Sequence, residues 1–570
     1  MPDRLTLAGE RNVPVSMRDG IVLYADIYRP AGPGSYPTLL QRTPYEKGGA
    51  IAIPIILRAV SSGYAVVVQD VRGRFESNGD FYAFVNERQD GYDTLEWLVA
   101  QPWCDGNVGM FGQSYVGLTQ WQAAMSGHPA LKAIVPTVTA ADYHAGWTYQ
   151  GGAFELSFNL SWTMTNLATN TVAKNIKSDP SAEEAFQRLL DGVDDLSEGF
   201  RHLPLAGHPI LAKYAPYYDD WAGLDVSARH DTLNVAALNI GGWYDIFLKG
   251  TIDNFTGMRA NAPAAVRDRQ HLLLAAWNHS GISRGNPIGA HDFGMRSTGA
   301  LIDSDGIQLR WFDRWLRGVE NGLDAEPPVR LFVMGSNRWR RESEWPLART
   351  DWQAWFLHSG GRANSLSGDG VLSRDSPTSE PPDSYVYNPR NPVPSMGGGL
   401  CCNAVFSQGG AYDQRSVEAR EDVLVYTTPS LDQAVEVTGP VKLILHASTS
   451  ATDTDWTAKL VDVGPCGYAR NLTDGILRAR YRSSMCEGTL VTPGEVIEYE
   501  VDLWSTSNAF LAGHRIRLEV SSSNFPRFDR NPNTGELPGH STEIVSSLQN
   551  VFHSSEHPSR LVLPVIPMRA

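Results

Sequence analysis

Val108-Gly-Met-Phe-Gly-Gln-Ser114-Tyr-Val-Gly117 is a short apolar run, a serine set between glycines, and the start of a helix-compatible stretch that continues to Met125. Gly112 and Ser114 reproduce the first half of G-x-S-x-G, the tight strand-to-helix turn that lifts a nucleophilic hydroxyl out of a sheet. Small residues are needed in such a turn because its backbone is strained and neighbouring elements approach closely. The second glycine arrives one place late, at Gly117, and Val116 stands in its usual position. The competing reading is an ordinary serine capping a helix.

The flanking sequence repeats the strand–helix alternation. Ile21–Tyr28 is rich in β-branched and aromatic residues and follows the turn Arg18-Asp19-Gly20. Tyr64-Ala-Val-Val-Val-Gln-Asp70 is nearly continuous in apolar residues, as expected of a strand covered on both faces in a parallel sheet. Glu87–Gln101 spaces Leu95, Leu98 and Val99 for a helix, and Leu131–Val138 is a further strand. Alternation of this kind predicts an α/β fold with a doubly wound sheet. From Asp142 to His230 strand runs disappear, helical spacing such as Ala182–Leu190 takes over, and Trp147, Tyr149, Phe154, Phe158, Trp162, Tyr214, Tyr217, Tyr218 and Trp221 crowd together. A helical cap over a pocket is expected there. Strands resume at Asn234–Ile240 and His271–Ala276, and Leu301–Arg317 reads as an amphipathic helix closed by Gly318. After Asp351 short strands without helices predict an all-β sandwich or jelly roll: Leu424–Thr427, Val441–His446, Ala458–Val463, Val496–Leu503, Ile516–Ser521 and Leu561–Val565. The expected division is 1–141 and 231–350 for the two parts of the α/β domain, 142–230 for the cap, and 351–570 for the β domain.

Bulk composition narrows the function. The 570 residues exceed what one core supports. With 48 Lys and Arg against 63 Asp and Glu, the net charge is −15, which disfavours phosphate backbones and anionic lipid, so neither nucleic acid nor a membrane is an expected partner. Five cysteines are too few and too odd in number for a secreted disulfide framework. Cys401 and Cys402 are adjacent, a poor arrangement for two ligands of one zinc, and structural thiols are the expectation. Met1–Asn12 has no apolar run like a signal peptide, and Ala50–Val60 is too short to span a bilayer. A cytoplasmic enzyme needing no cofactor or metal is the simplest expectation. A homodimer is compatible with it.

Two motif matches fail on context. Gly281-Ile-Ser283-Arg-Gly285 fits G-x-S-x-G by letter, yet Asn286-Pro287 and Gly289 break the chain where a helix should follow. His553-Ser-Ser-Glu556-His557 matches zinc-protease lettering, yet Pro558 pushes His557 out of helical geometry. A surface segment is expected at this second site.

A serine nucleophile needs a base that works near neutral pH, for which histidine is suited. In an α/β-hydrolase the acid and then the histidine follow the serine along the chain, each just past a strand. Asp245, after Ile240-Gly-Gly-Trp-Tyr, and His279, after Leu274-Ala-Ala-Trp-Asn, satisfy both conditions. A helix N-cap and a loop histidine are the competing readings.

Several passages, taken together, resemble the cocaine-esterase-like acyl esterases, relatives of the X-Pro dipeptidyl peptidases and α-amino-acid ester hydrolases. They are Thr43-Pro-Tyr45-Glu-Lys47, Gln69-Asp-Val-Arg-Gly73, Trp103 to Gly117, Gly242-Trp-Tyr-Asp245, Trp277-Asn-His279, Val329-Arg-Leu-Phe-Val-Met-Gly335 and Ser521-Ser-Ser-Asn-Phe-Pro526. The family's elbow, G-x-S-Y-x-G, carries the late glycine. The resemblance implies a split α/β-hydrolase domain, a helical cap and a C-terminal jelly roll. It implies a Ser114, Asp245 and His279 triad. It implies an oxyanion hole made by the Tyr115 amide and the Tyr45 hydroxyl, and an acyl pocket including Trp147, Trp162 and Phe247. Packing within the cap is the alternative for those three rings. The expected substrate is a small ester, or an amide in a peptidase-like or β-lactam acylase-like relative, where Asp219 or Asp220 could pair with a free amino group. A non-catalytic carbohydrate-binding protein is the remaining alternative.

Overall fold

The sheet that carries the site starts as an antiparallel ribbon and then turns parallel. In the computed structural model, β1 (Leu7–Ser16) and β2 (Val22–Pro30) pair through a turn at Gly20. β3 (Tyr36–Thr43), β4 (Ala65–Asp70), β5 (Cys104–Gln113) and β6 (Leu131–Thr137) follow, separated by helices α1 (Ile53–Ser61), α2 (Glu87–Val99) and α3 (Tyr115–Met125). Past the insertion come β9 (Ala236–Tyr244), β10 (Gln270–Asn278), β11 (Val329–Val333) and β12 (Arg338–Glu342). The structure describes residues 7–49, 53–163, 222–402, 408–536 and 543–567, with positions 166, 170 and 184 besides.

The strand order is β1-β2-β4-β3-β5-β6-β9-β10-β11-β12, with all neighbours from β4 to β11 parallel. β4 is buried at every residue, as its run of valines requires. The chain steps from β3 to β4 on one side and then crosses to β5 on the other. The strand order therefore reverses between β3 and β5, and a crevice opens there at the carboxyl ends of the strands. Tyr45 and Ser114 follow those two strands.

The amphipathic helix runs over Ser304–Arg317, starting later than the apolar pattern suggests. Asp303 caps it by accepting the Gly306 N–H, and Leu301 stays exposed. Gly318 ends it in the left-handed region, at φ 69°. A Cβ on Gly109 in β5 would lie 2.6 Å from the Phe312 ring, so that glycine lets the helix sit down on the sheet.

The insertion is not purely helical. It opens with a two-stranded hairpin, β7 (Tyr149–Gln150) and β8 (Ala153–Phe154), before the short helix Leu156–Ser161. A Cβ on Gly151 would come within 1.9 Å of the Ile476 carbonyl oxygen, so this hairpin lies directly against the C-terminal domain. Ala182–Leu190, Tyr214, Tyr217, Tyr218, Asp219, Asp220 and Trp221 lie outside the described residues.

The C-terminal domain runs from β13 (Asp351–His358) to β23 (Arg560–Ile566) as an eleven-stranded, mostly antiparallel sheet folded over its own core, a jelly roll. One hydrophobic cluster runs through both domains, from Leu274 and Trp277 to Trp456 and Leu518. The 553–557 segment lies at the surface at Ser555 and Glu556, as expected, but not at His553. His553 is fully buried rather than at the surface, with Nε2 2.9 Å from Asp383 and Nδ1 3.2 Å from Glu380. Among the described residues no helix is long and apolar enough to cross a membrane.

Candidate active site

Ser114 sits between β5 and α3 at φ 61°, ψ −125°, a conformation L-residues rarely adopt. Its N–H donates to the Thr137 carbonyl at 2.9 Å, and its own carbonyl accepts from Gly117 at 2.8 Å and Leu118 at 3.0 Å. Both glycines are sterically required. A Cβ on Gly112 would lie 2.3 Å from Val116 Cγ1, and one on Gly117 would lie 2.9 Å from Thr139. The late glycine therefore marks where the helix meets the loop after β6, while Val116 folds over Gly112. Gly281–Arg284, by contrast, is a single helical turn with Ser283 inside it and not at the corner that follows β10.

Tyr115 turns its ring away from the crevice. Its hydroxyl donates to Glu87 at 2.9 Å and accepts from the Phe84 N–H at 2.8 Å, and Arg42 pairs with Glu87 at 2.9 Å. What remains on the crevice side is the backbone amide, one of the first-turn N–H groups without an intrahelical acceptor. Tyr45 follows β3. Its hydroxyl accepts from Trp162 Nε1 at 3.0 Å and also engages the Ser114 side chain. Burial pushes the phenol up to about 12, so it stays protonated and able to donate. Arg74, fully buried, donates to the Pro44 carbonyl at 2.9 Å and so pins the turn that carries Tyr45.

Asp245 and His279 each follow the last residue of adjacent parallel strands. Tyr244 and Asn278 are register partners across β9 and β10. His279 Nδ1 lies 2.7 Å from Asp245 Oδ2. Oδ1 of the same carboxylate accepts the Phe247 N–H at 2.8 Å, so Asp245 orients the histidine and organises the turn into the helix Leu248–Asn261 at once. Asp245 is buried and His279 nearly so. Among the described residues no hydrogen bond joins Ser114 to His279. Such bonds are often long in a resting site and tighten around the substrate.

The three rings expected in an acyl pocket gather beside the histidine. Phe247 meets the His279 ring edge-on at 5.3 Å, Trp147 stacks on Phe247 at 4.2 Å, and Trp162 meets Trp147 at 5.6 Å. All three are fully buried, joined by Phe84, Tyr143 and Phe158.

The C-terminal domain also reaches this place. A Cβ on Gly399 would lie 3.3 Å from the Asp245 carbonyl oxygen. Asn278 donates to the Gly409 carbonyl at 3.0 Å. Cys401 and Cys402, expected as separate thiols, form a disulfide next to His279. Neither this pair nor Glu87 and Arg74 carries a motif. The doubled cysteine was the one signal in the sequence, and nothing local tied it to a histidine 122 positions earlier.

The comparisons with known proteins follow this geometry. Residues 19–281 match the X-Pro dipeptidyl-peptidase (S15 family) model, and residues 321–562 match the X-Pro dipeptidyl-peptidase C-terminal non-catalytic domain. Over 575 residues the chain is 41% identical to a cocaine esterase of Rhodococcus sp. (strain MB1 Bresler), covering 97% of this chain and 98% of that one. The chain belongs to the cocaine esterase family. Solved structures agree. An α-amino acid ester hydrolase superposes with a TM-score of 0.82 at 26% identity, covering 99% of this chain and 97% of that one. An aminopeptidase from a marine sediment Thaumarchaeota archaeon gives 0.81 at 25% identity, covering 100% and 98%. As a member of the cocaine esterase family this protein is a serine hydrolase that acts on carboxylic esters.

Proposed function

We propose that Ser114, His279 and Asp245 form the triad of this hydrolase, with Tyr45 and the Tyr115 amide as its oxyanion hole. The observation that carries the reading is the 2.7 Å bond between His279 Nδ1 and Asp245, on the same sheet edge as the strained Ser114 turn. His279 takes the Ser114 proton as the oxygen attacks the ester carbonyl, and Asp245 holds the imidazole tautomer and stabilises the imidazolium. The oxygen of the tetrahedral intermediate receives hydrogen bonds from the Tyr45 hydroxyl and the Tyr115 amide. Because Tyr45 accepts from Trp162, its own proton is left for the oxyanion. The alcohol departs with the proton from His279, and water then attacks the acyl-enzyme by the reverse steps. The ring cluster against His279 favours a bulky or aromatic acyl group, packed against the side of the cluster that Phe247 presents to the histidine.

An amide-cutting activity is the second reading, favoured by the likeness to the archaeal aminopeptidase. p-Nitrophenyl butyrate assayed beside Gly-Pro-p-nitroanilide separates the two. Ser114→Ala is expected to lower kcat on the ester by roughly 10⁴–10⁶-fold and to abolish labelling by a fluorophosphonate probe. Turnover near that of the parent protein would end the triad assignment.

A further inference from the structure

Cys401 and Cys402 are bonded to each other on the segment of the C-terminal domain that passes behind the catalytic acid. Successive residues of an extended chain face opposite sides, which makes adjacent cysteines poor partners on one ion. Here Cys402 takes φ 65°, and the bend brings both sulfurs to one side. The two sulfurs and an imidazole nitrogen of His279 all lie within 4.8 Å of one another. Nδ1 of that ring is engaged by Asp245, so Nε2 is the nitrogen left to meet a ligand. Cys401 is buried and Cys402 is exposed, which gives the cluster a solvent side.

We propose that, once the disulfide is opened, Cys401, Cys402 and His279 bind a thiophilic d10 dication such as Cd2+ or Zn2+, and that the filled site is inactive. Two thiolates and an imidazole select such ions over Mg2+ or Ca2+, which require oxygen ligands. Metal–sulfur bonds of about 2.3 Å and metal–nitrogen bonds of about 2.0 Å put tetrahedral ligands roughly 3.5–3.8 Å apart, so the two sulfurs, once unbonded, must part to that spacing while staying beside the imidazole to close round one ion. Opening is a two-electron step. A trialkylphosphine attacks one sulfur, water supplies the oxygen of the phosphine oxide, and the two sulfurs leave as thiols. Cation binding then releases the thiol protons. Inactivity follows because the ion occupies the nitrogen that must accept the Ser114 proton. That second half rests on the triad reading, whereas the binding half does not.

The test uses the full chain carrying Cys104→Ser, Cys466→Ser and Cys486→Ser, so that no other thiol competes. The protein is reduced with phosphine, freed of it, and titrated with Cd2+, and every form is compared with itself without cation. Reduced protein should bind a single Cd2+ per chain, show a sulfur-to-cadmium charge-transfer band, and lose about 10²-fold or more of its esterase rate, the share a general base supplies. A chelator should restore the rate. The disulfide form, the same protein in Mg2+, and the Cys401→Ser/Cys402→Ser variant should show neither band nor inhibition. His279→Gln should keep the band with weaker binding. Absence of the band in reduced protein, an equal band in the double variant, unchanged affinity in His279→Gln, or a full band without loss of rate would each overturn the proposal. If Ser114→Ala stays active without cation, the triad reading fails, while band and stoichiometry still report on the site.

Discussion

At Ser114 the backbone holds a left-handed conformation that costs about 1–3 kcal/mol and persists only where its surroundings over-determine it. Three backbone hydrogen bonds and two glycines flanked at contact distance do that here. The same turn brings the Ser114 side chain to the Tyr45 hydroxyl. Tyr45 is the residue on which the oxyanion proposal is easiest to test. Phenylalanine keeps its packing against Tyr115 and loses only the hydroxyl. Tyr45→Phe should lower kcat by about 10²–10³-fold with KM little changed. A fall below about threefold in steady-state kinetics would remove Tyr45 from the mechanism.

At the scale of elements, the hairpin formed by β7 and β8 joins the cap to the jelly roll. Phe154 and Asp529 exchange hydrogen bonds, the Phe154 N–H to the carboxylate at 2.9 Å and the Asp529 N–H to the Phe154 carbonyl at 3.0 Å. Arg478 holds that carboxylate at 2.8 Å and Asp455 at 2.9 Å, all three being buried. Arg478→Met would leave two buried carboxylates without their cation and should destabilise the fold by about 3–5 kcal/mol. Urea unfolding measures this, and a change below about 1 kcal/mol would show that the clamp is dispensable. The same hairpin leads into Glu155, whose carboxyl burial pushes up to about 7, with Arg527 partly opposing the shift. The raised value means the folded state binds more protons than the unfolded state between the two pKa values. Stability therefore falls as pH rises through that window, by up to about 3 kcal/mol between roughly pH 4.5 and 7. In urea titrations over that range, Glu155→Gln should flatten the decline relative to the parent. Equal slopes for the two proteins would refute the assignment.

For the whole molecule, the C-terminal domain is bonded to the hydrolase domain through its backbone and its core. The Met334 N–H donates to the Ser507 carbonyl at 2.9 Å and the Ala509 N–H to the Met334 carbonyl at 2.8 Å, a backbone bridge across the boundary just past β11. Tyr244, one residue before Asp245, donates to the Asn471 carbonyl at 2.9 Å. Cutting the chain after residue 350 would expose the apolar face that now packs against Trp456 and Leu503. That fragment is expected to aggregate. A monomeric fragment by light scattering that hydrolyses p-nitrophenyl butyrate at the parent rate would refute this dependence.

Short-range pattern was enough for the strand and helix positions around Ser114, because a strand buried on both faces and an amphipathic helix differ in period over a few residues. The valines of β4 and the stripe ending at Arg317 show this. The hairpin at Tyr149–Phe154 was not legible, since two-residue strands have no period and this pair is held by contacts with Ile476 and Asp529, more than 300 positions away. The burial of His553 within an otherwise surface segment was not legible for a similar reason: its partners, Glu380 and Asp383, lie about 170 positions earlier. The order of Ser114, Asp245 and His279, each at a strand end, could be read along the chain. Their neighbours could not. That Asp245 serves both an imidazole and a helix turn, that Glu87 anchors Tyr115, and that two cysteines of another domain abut His279 depend on which strands lie side by side. Local sequence encodes the shape of each element, whereas contacts between elements arise from packing the entire chain at once.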